Sequence, residues 1–257
     1  MGNKRLSCIY FSATDTTRRC VESVALAIDI PVSNSINLAD RNHPDLPEPD
    51  TEDIVLVAAP VYGGRIPSLV ADNLQQMKGN GCKAVAMVVY GNRDYDDALL
   101  ELTDIMTANG FSVVAAAAFI GQHSIFPKAG ISRPDNADKE KLTEFGIMCR
   151  DILASDTNRP IAVKGNHPYK KYGGVPLHPS AKQSDCNKCG ICQTLCPVDA
   201  IDANEPWKTD NDKCITCGRC INACPSSVRK YRGIKYSMTE KIFVSAFSRR
   251  KEPEFFI

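Results

Sequence analysis

Eight of the twelve cysteines in this 257-residue sequence lie between positions 186 and 224, where two runs repeat one spacing. The runs are Cys186-x-x-Cys189-Gly190-x-Cys192-x-x-x-Cys196-Pro197 and Cys214-x-x-Cys217-Gly218-x-Cys220-x-x-x-Cys224-Pro225. Cysteine thiolates are ligands for soft metals and for iron–sulfur clusters. Two-residue gaps let one tight loop present three thiolates to a cluster, while the fourth must come from elsewhere in the chain.

The Cys-Pro ending of each run indicates where the fourth ligand goes, because in the bacterial pattern C-x2-C-x2-C-x3-C-P it ligates the other cluster. We therefore predict two [4Fe–4S] clusters with crossed ligands. One is held by Cys186, Cys189, Cys192 and Cys224, and the other by Cys214, Cys217, Cys220 and Cys196. Zinc also binds Cys-x-x-Cys pairs, but two complete four-cysteine runs that end in Cys-Pro are not the pattern expected of zinc sites.

The cysteine region resembles the bacterial two-cluster ferredoxins over residues 184–228, at eight of eight ligand positions. The stretch Cys196-Pro-Val-Asp-Ala-Ile201 is similar to the sequence usual after a crossing ligand. The resemblance implies a small α+β ferredoxin module with two [4Fe–4S] clusters that carry electrons. The remaining cysteines are predicted to be small buried apolar residues.

Charge and hydropathy exclude several other classes of partner. Thirty-one Lys and Arg face 30 Asp and Glu, so the overall charge gives no reason to expect nucleic acid. The longest apolar run, Val113 to Ile120, is far shorter than the roughly 18 residues of a membrane span. The start, Met1 to Leu6, does not have the pattern of a signal peptide, so we expect a cytoplasmic protein in which a disulfide scaffold is disfavoured.

The first 155 residues alternate apolar strands with helical segments. Strands are predicted at 6–11, 32–38, 53–59, 83–90 and 111–119, and helices at 16–28, 68–77, 95–109 and 136–154. Continuous apolar strands alternating with helices indicate a parallel sheet that is covered on both faces. The sequence therefore predicts a doubly wound, five-stranded parallel sheet of flavodoxin type.

The rest of the chain is divided by composition. After the flavodoxin-like domain at 1–155, a Pro/Gly-rich linker is predicted at 156–183, the ferredoxin module at 184–228 and a basic tail at 229–257. The tail has two possible roles that the sequence leaves open. It is suited to dock an acidic redox partner, and it is equally suited to pack back on the first domain.

The loop after the first strand carries hydroxyl side chains at the start of a helix. Ser12, Thr14, Thr16 and Thr17 are candidate ligands of a phosphate, because main-chain N–H groups and the helix dipole favour an anion there. The loop resembles the flavodoxin phosphate loop, although Asp15 stands where glycine is usual. The alternative is a capped helix start with no ligand.

Two further loops follow central strands and are predicted to border the flavin ring. The first supplies Pro60, Val61, Tyr62 and Gly63, and the second supplies Gly91, Asn92, Arg93 and Tyr95. Ligands of open α/β sheets bind at the carboxyl ends of the strands, and a tyrosine ring stacks well on an aromatic ligand. The alternative is a pair of ordinary turns with surface tyrosines.

Taken together, the loops and the cysteine runs resemble the fused flavodoxin/ferredoxin family of EFR-type ferrodoxins. That resemblance extends to residues 119–124 and to the ending at 250–256. It implies an FMN-binding domain connected to two clusters, and redox proteins as partners. We expect an electron-transfer protein; the alternatives are a flavin-dependent oxidoreductase that acts on a small acceptor, and a ferredoxin whose flavodoxin-like domain lacks flavin and serves for docking.

Overall fold

A computed structural model describes residues 4–155, 160–173 and 176–257, and its largest element is a six-stranded sheet with the order β2-β1-β3-β4-β5-β6. The strands are β1 Leu6–Tyr10, β2 Val32–Asn37, β3 Ile54–Pro60, β4 Lys83–Tyr90, β5 Ser112–Ile120 and β6 Glu254–Phe256. The first five are parallel, and their order is that of flavodoxins. The predicted fold class is confirmed.

Both faces of the sheet are covered because the central strands are apolar on both sides. The helices are α1 Thr16–Ile28, α2 Ser68–Leu74, α3 Ala98–Ala108 and α4 Asn136–Ala154. Helices α1 and α4 pack on one face, with Val24 and Phe145 in its core, and α2 and α3 pack on the other, with Val70 and Leu102. Burying large aliphatic and aromatic side chains in this way contributes about 1.5–3 kcal/mol each.

A sixth strand comes from the tail and pairs antiparallel with β5, with Ala116 opposite Phe256 and Ala118 opposite Glu254. Sequence patterns did not predict it, because three residues are too few to show alternation. The tail therefore packs against the first domain, which is one of the two roles that the sequence left open.

The linker follows helix α3 in an extended path over its described part, 160–173. Asp97 accepts the main-chain N–H groups of Asn166 and Lys170 at 2.8 and 2.7 Å. Asp104 accepts the hydroxyl of Tyr169 at 2.5 Å. Residues 156–159 and 174–175 of the predicted linker lie outside the described residues. Carboxylates on or next to one helix thus fix the path of the described segment.

The cysteine module is built mainly of loops. Its helices are short, α5 Ile191–Thr194 and α6 Arg219–Asn222, and each follows a glycine of positive φ, Gly190 at 76° and Gly218 at 78°. Among the described residues, the extended pairing near the module is one bridge between Ser180 and Lys230. The module therefore contains less β structure than the predicted α+β fold implied.

The last helix, α7 Ile234–Ala246, runs from the module back to the sheet. Its inner side contributes Tyr236 and Phe243 to a small aromatic cluster with Phe126 and Tyr231. Within the ranges that the structure describes, no helix is long and apolar enough to cross a membrane.

Candidate functional site

The eight thiols of the module are arranged as two sets, each around its own small cavity. The sets are named by whether they border the cavity at the sheet that is described below. The far set, which does not border it, is Cys186, Cys189, Cys192 and Cys224. The near set is Cys196, Cys214, Cys217 and Cys220. Each set takes three thiols from one run and the fourth from the other, so the structure brings together the same four cysteines that the crossed pattern groups by sequence.

The four thiols of each set line one small cavity. Among the described residues, no group of three or more His, Cys, Asp or Glu side chains is close enough to hold a single metal ion. Four thiols around one cavity match the four-cysteine ligation of a cubane cluster. The donor set therefore fits two clusters.

Burial and main-chain donors act in opposite directions on these thiols. Burial raises the pKa of Cys217 to about 12 and that of Cys220 to about 11, the latter against the nearby Arg229 guanidinium. Burial also acts to raise the pKa of Cys224, but main-chain N–H groups of residues 226–229 outweigh it and lower that pKa. The N–H of Ala200 lies 3.3 Å from the Cys196 sulfur. Such donors stabilise thiolate sulfur and bear on cluster potentials.

A cavity of about 640 Å³ opens at the carboxyl ends of β1, β3 and β4. It lies where strand order reverses, since β2 and β3 flank β1, and this is the ligand position of open α/β sheets. Nine of the twelve predicted flavin residues line it: Thr14, Thr16, Thr17, Pro60, Val61, Tyr62, Gly63, Gly91 and Arg93.

Three predicted flavin residues do not line the cavity, and each has a structural role instead. Ser12 is buried and its hydroxyl accepts the N–H of Arg18 at 3.1 Å, which fixes the start of α1. The side-chain amide of Asn92 donates to the carbonyls of Phe247 and Arg249 at 2.7 and 3.0 Å. The side-chain polar groups of Ser12 and Asn92 therefore have partners inside the protein.

Tyr95 is the third predicted flavin residue that does not line the cavity. Its ring is buried against Tyr90, and its hydroxyl donates to Glu254 of β6 at 3.1 Å. The residue therefore helps to hold the sixth strand in place. The sequence predicted that it lies near the cavity because it follows β4, but the cavity lining from this loop ends at Arg93.

The phosphate loop retains free main-chain donors. In the part of the chain that the structure describes, the N–H groups of residues 13–17 donate to no protein acceptor. Asp15, at φ 63°, does not cap the helix, and its carboxylate instead accepts from the Arg18 guanidinium at 3.0 Å. Unpaired N–H groups at a helix start are the chemistry of an anion site, so the loop fits a phosphate.

His123 lies in the cavity wall in a defined protonation state. Its Nδ1 accepts the N–H groups of Ile125 and Phe126 at 3.1 and 3.2 Å. Burial lowers its pKa to about 4, with Arg93 adding to the effect, so the ring is neutral at physiological pH. A Cβ on Gly91 would come within 2.5 Å of this ring, so glycine is required there.

The cavity has walls that the sequence did not predict. Tyr172 and Gly173 come from the linker, Thr239 and Phe243 from α7, and the 214–216 loop from the module. Long-range packing brings these parts together, and no local pattern marks them. The loop that carries near-set thiols is therefore also a wall of the candidate flavin cavity.

Comparison with known proteins agrees with the cluster ligation predicted for the cysteine module. Residues 185–228 match the family model of the 4Fe-4S dicluster domain. The chain is 44% identical over 45 residues to one subunit of the Na(+)-translocating ferredoxin:NAD(+) oxidoreductase complex of Acetobacterium woodii, covering 17% of this chain and 14% of that protein. It is 36% identical over 50 residues to the NADH-dependent phenylglyoxylate dehydrogenase subunit delta of Aromatoleum evansii, covering 19% and 54%. The chain thus spans about half or less of the length of these relatives.

Among solved structures, oxidised flavodoxin 2 from Bacillus cereus aligns with 16% identity and a TM-score of 0.42, over 59% of this chain and 97% of that one. The flavodoxin-like assignment of the first domain comes from its own strand order. The chain is a fusion of a flavodoxin-like domain with a dicluster iron–sulfur module.

Proposed function

We propose that this protein transfers electrons between a bound FMN and two [4Fe–4S] clusters. The observation that carries the proposal is the shared wall: Cys214, Ile215 and Thr216 line the same cavity as the three predicted flavin loops. A group bound there would lie beside the near set. Relatives of the module that are named as oxidoreductase or dehydrogenase subunits support a redox role.

The residues present fit the two kinds of cofactor. Each set of four thiols would hold one cluster. The 13–17 loop would bind the FMN phosphate with its N–H groups, and Tyr62 and Gly91 would lie beside the flavin ring. FMN exchanges one or two electrons and each cluster one, so the assembly would interconvert two-electron and one-electron donors.

The arrangement implies an order for the electron path. The near set adjoins the cavity, and its Cys217 is packed in the same core as Tyr62 and Ile215. The far set reaches the surface, where Cys189 is exposed. We infer that electrons pass between the cavity, the near cluster and the far cluster in that order, and that a partner redox protein docks over Cys189.

Selective removal of each cluster tests this order. We expect Cys189→Ala to lose the far cluster but retain electron exchange between FMN and the near cluster, while reduction of an external acceptor protein slows. Cys217→Ala, the matched position in the other run, should stop both. Electron paramagnetic resonance of rapidly frozen samples, with FMN absorbance followed in parallel, measures these steps.

The outcomes separate the alternatives. Purified protein that carries both clusters but binds no FMN would overturn the proposal and favour a docking domain. Normal acceptor reduction in the Cys189→Ala variant would overturn the order of the path. Fast turnover of a small acceptor, unaffected by loss of either cluster, would favour a flavin-dependent oxidoreductase.

A further inference from the structure

Arg229 is the first residue after the module, and its side chain is almost fully buried, at 2% exposed. The guanidinium donates to the carbonyls of Pro206, Lys208 and Pro179, the last at 2.9 Å, and to the Thr209 hydroxyl at 2.5 Å. All four acceptors are neutral. The sequence assigned this residue to a basic tail and gave it no role at the clusters.

The charge of Arg229 has no carboxylate partner among the described residues, and its Nε is buried without an acceptor. Other arginines of low exposure are compensated: Arg133 pairs with Asp138, and Arg65 with Glu101. A buried, unpaired cation is strongly unfavourable unless an anion lies nearby. The folded protein therefore needs a negative group close to Arg229.

The cysteine thiolates are the groups near Arg229 that can supply this negative charge. The side chain lines the far-set cavity together with Cys192. The carbonyl of Pro206, which accepts from Arg229, also lies 3.7 Å from the Cys192 sulfur. Two of its other acceptors, the Pro179 carbonyl and the Thr209 hydroxyl, belong to residues that line the near-set cavity. Arg229 thus lies between the two sets.

We propose that Arg229 is a shared counter-ion of both clusters and raises the reduction potential of each. A cluster ligated by four thiolates is anionic, and reduction adds a further negative charge. A fixed cation in a water-poor site stabilises the reduced form more than the oxidised form, since charge near a cluster is one determinant of its potential. Because the cation lies between the sets, one residue acts on both.

The test compares three variants of the full-length protein with both clusters loaded. For Arg229→Gln, which keeps donors but removes the charge, we expect the equilibrium constant for reduction of each cluster to fall about tenfold, or about 59 mV for a one-electron couple. Arg229→Lys should stay close to the wild-type protein. Redox titration monitored by electron paramagnetic resonance measures both potentials.

Arg219→Gln is the matched control, because Arg219 lies within the near-set run but is already paired with Asp40. We expect it to shift the potentials much less than Arg229→Gln. A shift in one cluster alone, or none, in Arg229→Gln would overturn the proposal. If Arg229→Gln does not load clusters, the Arg229→Lys variant decides between the two roles. Cluster loading and potentials like those of the wild type would support a role of the charge. Equal loss of clusters in both variants would show that the hydrogen-bond geometry of arginine is what matters, and would overturn the proposal.

Discussion

At the scale of single residues, the placement of each cysteine is the main determinant of function. Cys196 and Cys224 each lie in one run of the sequence but line the cavity of the other. The spacing alone was sufficient to group them, because a C-x2-C-x2-C loop leaves its fourth position for a distant residue. Arg229 was not predictable, since nothing in the sequence distinguishes a buried arginine from the exposed basic residues that follow it.

Substitution of the crossing ligands should damage the cluster of the opposite run. We expect Cys224→Ala to perturb the cluster of the Cys186 loop and Cys196→Ala to perturb the cluster of the Cys214 loop. Mössbauer or electron paramagnetic resonance spectra of the two variants, each serving as control for the other, would show this. If each variant altered the cluster of its own run, the crossed arrangement would be wrong.

Asp15 is the residue at which the phosphate loop departs from the flavodoxin pattern. The Asp15→Gly variant should bind FMN roughly three- to tenfold more tightly, because it removes a negative charge beside the phosphate, which is worth about 1 kcal/mol. Titration of the apoprotein with FMN, followed by fluorescence quenching, measures the change.

Asp29 provides a matched control for that substitution. It stands at the other end of the same helix with φ 59°. Asp29→Gly should relieve similar backbone strain without changing FMN affinity. An equal gain in both variants would show that strain, and not charge at the loop, is responsible; an unchanged affinity in Asp15→Gly would show that the carboxylate, already paired with Arg18, does not weaken the site.

At the scale of elements, the sequence predicted the strands and helices of the first domain closely. Helices α1 and α4 and strand β4 have the predicted bounds, because their apolar residues follow a regular period. The linker and the tail were placed less well. Their positions are determined by contacts between residues that are distant in sequence, such as Tyr95 and Glu254, and composition does not reveal those contacts.

The linker is held at one point by a compact ion pair. The Arg65 guanidinium binds Glu101, donates to the Lys170 carbonyl and lies 4.7 and 4.2 Å from the ring centres of Tyr169 and Tyr172. Arg65→Met should destabilise the protein by about 3–5 kcal/mol, because it leaves Glu101 buried and unpaired. Urea unfolding followed by circular dichroism measures this loss.

The double variant Arg65→Met/Glu101→Leu separates charge from packing. Removing both partners should recover most of the lost stability, since no unpaired charge remains. Tyr172 loses the Arg65 guanidinium over its ring in both variants, and the double variant also removes the Glu101 carboxylate that accepts its hydroxyl at 2.8 Å, so weaker FMN binding is expected in both. A double variant as unstable as the single one would show that the linker, and not the charge, determines stability here.

At the scale of the whole molecule, the predicted cluster sites and the predicted flavin cavity lie next to each other. The module contacts the first domain through the Arg219–Asp40 and Arg41–Asp199 ion pairs, and its near-set loop closes the large cavity. Fully loaded protein should contain about eight iron atoms per chain, with FMN in addition. Analysis for iron, acid-labile sulfide and zinc checks this number, and zinc without sulfide would contradict it.

The return of the chain to β5 gives the cysteine module two connections to the first domain, the covalent linker and the hydrogen-bonded pairing of β6 with β5. The linker enters the module, and the segment through α7 leads back to β6. A protease that cuts once in the linker would therefore not release the module, which would stay attached through the paired strand. During synthesis, by contrast, β5 has no partner on this edge until Glu254–Phe256 are made, so the sheet is completed only after the eight cysteines of the module have been made.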